Sequence, residues 1–299
     1  MESSFLPLWA IFALLSAGLS ATQMLLQEHF KAAPFPMAFW IKVACALVMA
    51  PFVIKTGLPN NPTYYALLGA QSFLWVISDV IFYRGIKDVG AGVIARLLPL
   101  TTFASFFLWF ALDWPLASAY AAHPAHSLAI VSVLGLSAIF AWNLRQCQVT
   151  RTAFRAIWFV LFANVVGSLS TKIITTYADP KQGIYAYVFC EALIMVTIWL
   201  VYYVVRRPVP VKSMFGLGAI KSGFIVGAVA AFSVAATISA VYAVDNPAYV
   251  SAVRYLNSVM IFFYYRALGR PTQGHLWAGF GLVACAAALV VIKANLMSY

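Results

Sequence analysis

The sequence predicts an all-α integral membrane protein whose ten transmembrane helices form two inverted five-helix repeats. Three observations carry that expectation. Of the 299 residues, 64% are hydrophobic and 9% charged, against about 45–50% and about 25% in soluble domains, so polar surface is too scarce to coat a water-exposed fold. Apolar runs of about 20 residues recur along the chain, each long enough at about 1.5 Å per residue to cross a hydrocarbon core of about 30 Å. The two halves also align with each other at a nearly constant offset. Soluble enzyme folds are thereby excluded.

The runs and their breakers place spans at 5–27, 35–54, 64–84, 90–112, 127–143, 155–177, 184–205, 216–240, 247–267 and 275–293. The first has no basic leader and continues through Ser20 to Met24, so it reads as a span and not a cleaved signal peptide. Pro34, Pro36, Pro59, Pro62, Pro115, Pro124, Pro180, Pro208, Pro210, Pro247 and Pro271 fall in or beside connections, where a missing amide donor does no harm. Pro51 and Pro99 lie within spans two and four. At Pro99 the sequence leaves two readings open, a kink through a freed carbonyl or plain tolerance of proline in a membrane helix. His123 and His126 precede span five in a set too sparse to hold a metal. In span eight, Gly223 and Gly227 have the spacing that lets a neighbouring helix approach closely.

An offset of 149 residues pairs Trp9 with Trp158, Gly18 with Gly167, Thr22 with Thr171, Lys42 with Glu191 and His126 with His275. The repeats are therefore expected at 1–149 and 150–299. Five spans is an odd number, so the second repeat enters the membrane in the opposite sense, as in many secondary transporters.

Ala-Gly-Val-Ile-Ala-Arg-Leu-Leu-Pro-Leu-Thr-Thr-Phe at 91–103 opens span four, and Asn-Pro-Ala-Tyr-Val-Ser-Ala-Val-Arg-Tyr-Leu-Asn-Ser-Val at 246–259 opens span nine. With the ten-span duplication, nearly the whole chain resembles the EamA-type drug/metabolite transporter superfamily. The resemblance implies a carrier in a bacterial inner membrane. Leu112-Asp113 and Gly269-Arg270 stand where the superfamily often has an acidic residue after a glycine. Val-Arg-Tyr at 253–255 is similar in position to a Lys-Arg pair of the distantly related triose-phosphate translocators, with Tyr255 in place of the second base.

Ionisable residues at bilayer depth usually face a bundle interior or a water-filled cavity. Six qualify: Lys42, Asp79, Arg96, Lys172, Glu191 and Arg254. Arg96 and Arg254 match at an offset of 158, and two planar guanidinium forks around one cavity suit a carboxylate or phosphate. The other reading ties each arginine to Asp79, Glu191 or a helix-end carbonyl. Four basic residues against two acidic ones leave an excess of +2 within the spans, which a bound anion would neutralise. The substrate-binding set is expected to be Arg96, Arg254, Lys42, Lys172, Tyr255, Asn257, Gln71 and Tyr187, with Asp79 and Glu191 as coupling or charge-pair residues. Ser78, Tyr83, Ser168 and Thr171 are further polar candidates.

The expected function is secondary transport of a small organic anion by alternating access, by exchange or on a gradient. No phosphate-binding P-loop or nucleophile elbow occurs, so no enzyme activity is expected. Cys45, Cys190 and Cys285 lie in spans and Cys147 in a connection, without metal-binding spacing. No cofactor or metal is expected. The partners are an anionic small molecule and membrane lipids; a monomer suffices and a homodimer is compatible. The net charge of +11 reports loop residues that orient helices and not nucleic-acid binding. Two other functions fit the sequence: a proton-coupled exporter of amphipathic or zwitterionic metabolites, and a flippase or scramblase that handles lipid phosphate.

Connections one, three, five, seven and nine carry 12 Lys plus Arg, against 3 on the side of the termini. Short cytoplasmic loops are rich in these residues, which puts both termini outside the cytoplasm, whereas the resemblance implies termini inside. By the charge count, a single thiol at Ser3 or Ser298 should react with an impermeant reagent on intact cells.

Overall fold

The computed structural model describes residues 7–98, 100–143, 151–269 and 276–296, and no strand occurs among them. In chain order the helices are α1 (Leu8–Phe30), α2 (Pro34–Thr56), α3 (Pro62–Val89), α4 (Ala91–Leu97), α5 (Leu100–Leu112), α6 (Trp114–Ala122) and α7 (Pro124–Asn143). They continue with α8 (Arg151–Thr175), α9 (Pro180–Arg206), α10 (Val211–Met214), α11 (Leu217–Tyr242), α12 (Ala248–Arg254), α13 (Asn257–Ala267) and α14 (Leu276–Leu296). Six segments among the described residues are long and apolar enough to cross a bilayer: α1, α2, α3, residues 157–175 of α8, α9, and Val211–Tyr242. The chain is an all-α, multi-pass membrane protein.

Four of the prolines expected in or beside connections open helices. Pro34, Pro62, Pro124 and Pro180 are the first residues of α2, α3, α7 and α9, where the missing amide would have had no intrahelical partner. The preceding side chains complete two of these starts. Asn61 Oδ1 accepts from the Thr63 amide at 2.9 Å and Asp179 Oδ1 from the Lys181 amide at 2.8 Å.

Two segments expected as single spans are each divided into two helices. In 90–112, α4 ends at Leu97 and α5 begins at Leu100; Pro99 lies outside the described residues. In 247–267 the interruption falls at Tyr255 and Leu256, where no proline stands. There the amides of Leu256, Ser258 and Val259 bond to carbonyls three residues back at 3.1, 3.1 and 3.0 Å, a tightened turn that takes the chain off the α-helical path. The connection before span five also holds a helix that sequence reading did not assign. This is α6, started by Asp113, whose Oδ1 accepts from the Leu116 amide at 3.1 Å, and bent from α7 by 108°.

Packing joins helices far apart in the chain. Helix α1 lies on α11 and α12, α2 on α11 and α9, α3 on α8 and α9, α5 on α8, and α7 on α14. The α2–α11 approach depends on the two glycines of α11. A Cβ on Gly223 would lie 2.2 Å from Trp40 Cβ, and one on Gly227 would lie 2.6 Å from both Ala44 Cβ and the Ile41 carbonyl. Trp40 itself is fixed by its indole, which donates to the Met214 carbonyl at 2.7 Å. Gly223→Val should therefore cost at least about 1–3 kcal/mol through overpacking, read as a lower melting temperature in detergent. Gly218→Ala, with nothing within 4 Å, should leave the melting temperature unchanged.

Candidate functional site

These packings enclose a cavity of about 190 Å³. Each wall is one helix face, as the helical period requires. Helix α3 contributes Trp75, Ser78, Asp79, Phe82 and Tyr83; α8 contributes Val160, Asn164, Gly167, Ser168 and Thr171. Helices α1, α2, α9 and α11 close the sides, with Lys42 on α2 and Glu191 on α9 facing in. The last wall is the start of span nine, from Pro247 through Arg254 and Tyr255 to Asn257.

The acidic end of the cavity is a triad. Lys42 Nζ donates to Glu191 Oε2 at 2.9 Å and lies 3.7 Å from Asp79 Oδ2. Lys42 and Glu191 are buried, and Asp79 is the most exposed of the three. Three charges of this kind sum to −1. Lys42 is therefore compensated twice over and has no charge to spare for an anion.

Arg254 ends α12 immediately before the break and faces the cavity. Among the described residues it has no hydrogen-bond or ion-pair partner. Its neighbour Tyr255 closes the cavity wall by a hydrogen bond between its hydroxyl and Thr101 Oγ1 at 2.8 Å, joining the start of α5 to the break between α12 and α13. The Thr101 hydroxyl is also within 2.7 Å of the Leu98 carbonyl. Asn257 donates to Ser20 Oγ at 3.2 Å and, among the described residues, leaves its buried Oδ1 without a partner, an acceptor at the cavity wall.

Three expected site residues sit elsewhere or outside the described part. Arg96 lies on α4, and its side chain is outside the described residues. Lys172 does not line the cavity; its ammonium donates to the carbonyls of Val241, at 3.0 Å, and Val244. It sits one turn from the end of α8, where it meets the unpaired carbonyls at the end of α11, a place that favours a cation. Gln71 is likewise absent from the lining and acts as a clasp. Its amide donates to the Gly167 carbonyl at 3.0 Å and to Thr171 Oγ1 at 2.8 Å, and accepts from the Tyr187 hydroxyl at 2.9 Å. Thr171 and Tyr187 are themselves 3.0 Å apart, so α3, α8 and α9 are held together beside the cavity.

A solved structure described as "Crystal structure of protein" matches this chain with a TM-score of 0.62 and 14% identity, over 95% of this chain and 97% of that one. That likeness shows the fold. No family model and no curated protein matches the sequence.

The expected excess of +2 counts Arg96, whose side chain lies outside the described residues. Lys172 is engaged at a helix end, and the described charges that face inward are Lys42, Arg254, Asp79 and Glu191, two of each sign. Trp75, Phe82 and Thr101 escaped sequence reading. The signal for the first two was present, because residues 75, 78, 79, 82 and 83 recur at helical spacing around Asp79. Thr101 had no such signal, since its partner Tyr255 is 154 residues away.

Proposed function

We propose that this protein is a secondary carrier for small organic solutes bearing a carboxylate or phosphate, built as two inverted repeats of five spans, 1–149 and 150–299. The observation that carries the reading is Arg254. A guanidinium at a helix break, facing the cavity and without a partner among the described residues, offers a planar fork of donors to one anionic group. Broken helices at a repeat interface are a recurrent way for transporters to present such a site.

The packing supports the repeat. Exchanging α1 with α8, α2 with α9, α3 with α11, α4 with α12, α5 with α13 and α7 with α14 turns the α1–α11 pairing into α8–α3 and the α2–α11 pairing into α9–α3. It returns α2–α9 and α7–α14 to themselves; all of these pairings are observed. The residues aligned at an offset of 149, Lys42 and Glu191, touch each other. Two residues that occupy the same place in two repeats meet only where the two-fold axis passes. Alternating access then amounts to rocking around a site on that axis.

The test is flux into liposomes holding the purified protein, with a panel of labelled carboxylates, phosphates and amino acids. Saturable uptake of at least one solute carrying an anionic group is expected. Movement of a labelled phospholipid between leaflets, with no solute flux, would replace this reading by the lipid-handling one.

A further inference from the structure

We infer that the substrate is a zwitterion, with its anionic group on Arg254 and a cationic group beside Asp79. This rests on the carrier reading above and narrows its substrate class. The described charges at the cavity cancel: Lys42 and Arg254 against Asp79 and Glu191. They are not arranged as two equal pairs. Lys42 is hydrogen-bonded to Glu191 at 2.9 Å, while Asp79 stands farther from the same ammonium, at 3.7 Å. One end of the cavity therefore carries a net negative charge and the other the unpartnered Arg254.

A simple anion would satisfy Arg254 and leave Asp79 uncompensated in a poorly solvated space, where an unpaired charge is costly. Recruiting Lys42 to the anion would instead strip Glu191 of its partner. A molecule carrying both charges satisfies both ends at once and leaves the balance of the described charges unchanged. Trp75, Phe82 and Tyr83 lie on the same face of α3 as Asp79, and aromatic faces favour an ammonium group.

The experiment measures equilibrium binding to the purified full-length protein at neutral pH with two matched sets of probes. One set is leucine, 4-methylpentanoate and 3-methylbutylamine; the other is phenylalanine, 3-phenylpropanoate and 2-phenylethylamine. In at least one set the zwitterion should bind about tenfold or more tighter than both the acid and the amine, about 1.4 kcal/mol or more. Asp79→Asn should remove the advantage over the acid, and Asp79→Glu should keep it. The Asn variant leaves Lys42 and Glu191 as a neutral pair, so it should fold, as gel filtration would verify.

An acid that binds as tightly as its amino acid, with Asp79→Asn changing only the pH dependence, overturns the inference and makes a proton the occupant of Asp79. Failure of all six probes, while the liposome assay carries a different acid or phosphate that lacks a positive group, also overturns it and leaves the carrier reading intact. Failure of the probes together with absence of any solute flux removes both.

Discussion

Arg254→Gln is expected to abolish solute uptake while leaving the yield and melting temperature of the protein in detergent nearly unchanged. The expectation follows from what Arg254 lacks. A structural tie would show a carboxylate or carbonyl within reach of the guanidinium, and among the described residues there is no hydrogen bond or ion pair to it. Removing it thus breaks no hydrogen bond or ion pair among the described residues. It removes instead the group that would pair with the substrate's negative charge, and truncating one partner of a buried charge pair costs about 2–5 kcal/mol. Initial rates should fall by about one and a half to three and a half orders of magnitude, tenfold for each 1.4 kcal/mol. Arg254→Lys should also be impaired, because an ammonium keeps the charge and loses the bidentate fork. A large loss of folded protein in Arg254→Gln would return the residue to a structural role.

What the sequence disclosed, and what it did not, follows from the range of the interactions involved. The pairing of Lys42 with Glu191 was legible as an alignment of two halves, and the structure brings the same two atoms groups to 2.9 Å. Arg254 was legible as a charge within an apolar run. Lys172 was not, because a lysine one turn from a helix end looks the same whether it reaches water, a cavity or another helix. Its role is decided by where α11 ends, at Tyr242, 70 residues further on. Gln71 is similar: its partners lie on helices 96 to 116 residues away. The break after Arg254 had no proline to mark it, since it arises from a few bonds that close three residues back instead of four.

Lys42→Met is expected to remove most of the folded protein. Lys42 is buried on α2 between two carboxylates, one from α9 at 2.9 Å and one from α3 at 3.7 Å. Without its ammonium, Glu191 and Asp79 face each other uncompensated, and breaking a buried pair by removing one partner costs about 3–5 kcal/mol. The Lys42→Met, Glu191→Gln double variant should recover much of that loss. Adding Asp79→Asn, which leaves no charge in the triad, should recover more. Gel-filtration yield and melting temperature across this series give the coupling between the sites, which for residues in direct contact is not additive. Exchanging the charges, Lys42→Glu with Glu191→Lys, separates an ordinary ion pair from one on a two-fold axis. If the two positions are equivalent, the exchanged pair has the same reach, and Asp79, 3.7 Å from the ammonium at position 42, is the neighbour that departs from the equivalence. Folded protein and transport should then both return, whereas positions without that equivalence would recover the fold only in part. Wild-type stability in Lys42→Met alone would mean that the triad holds nothing together.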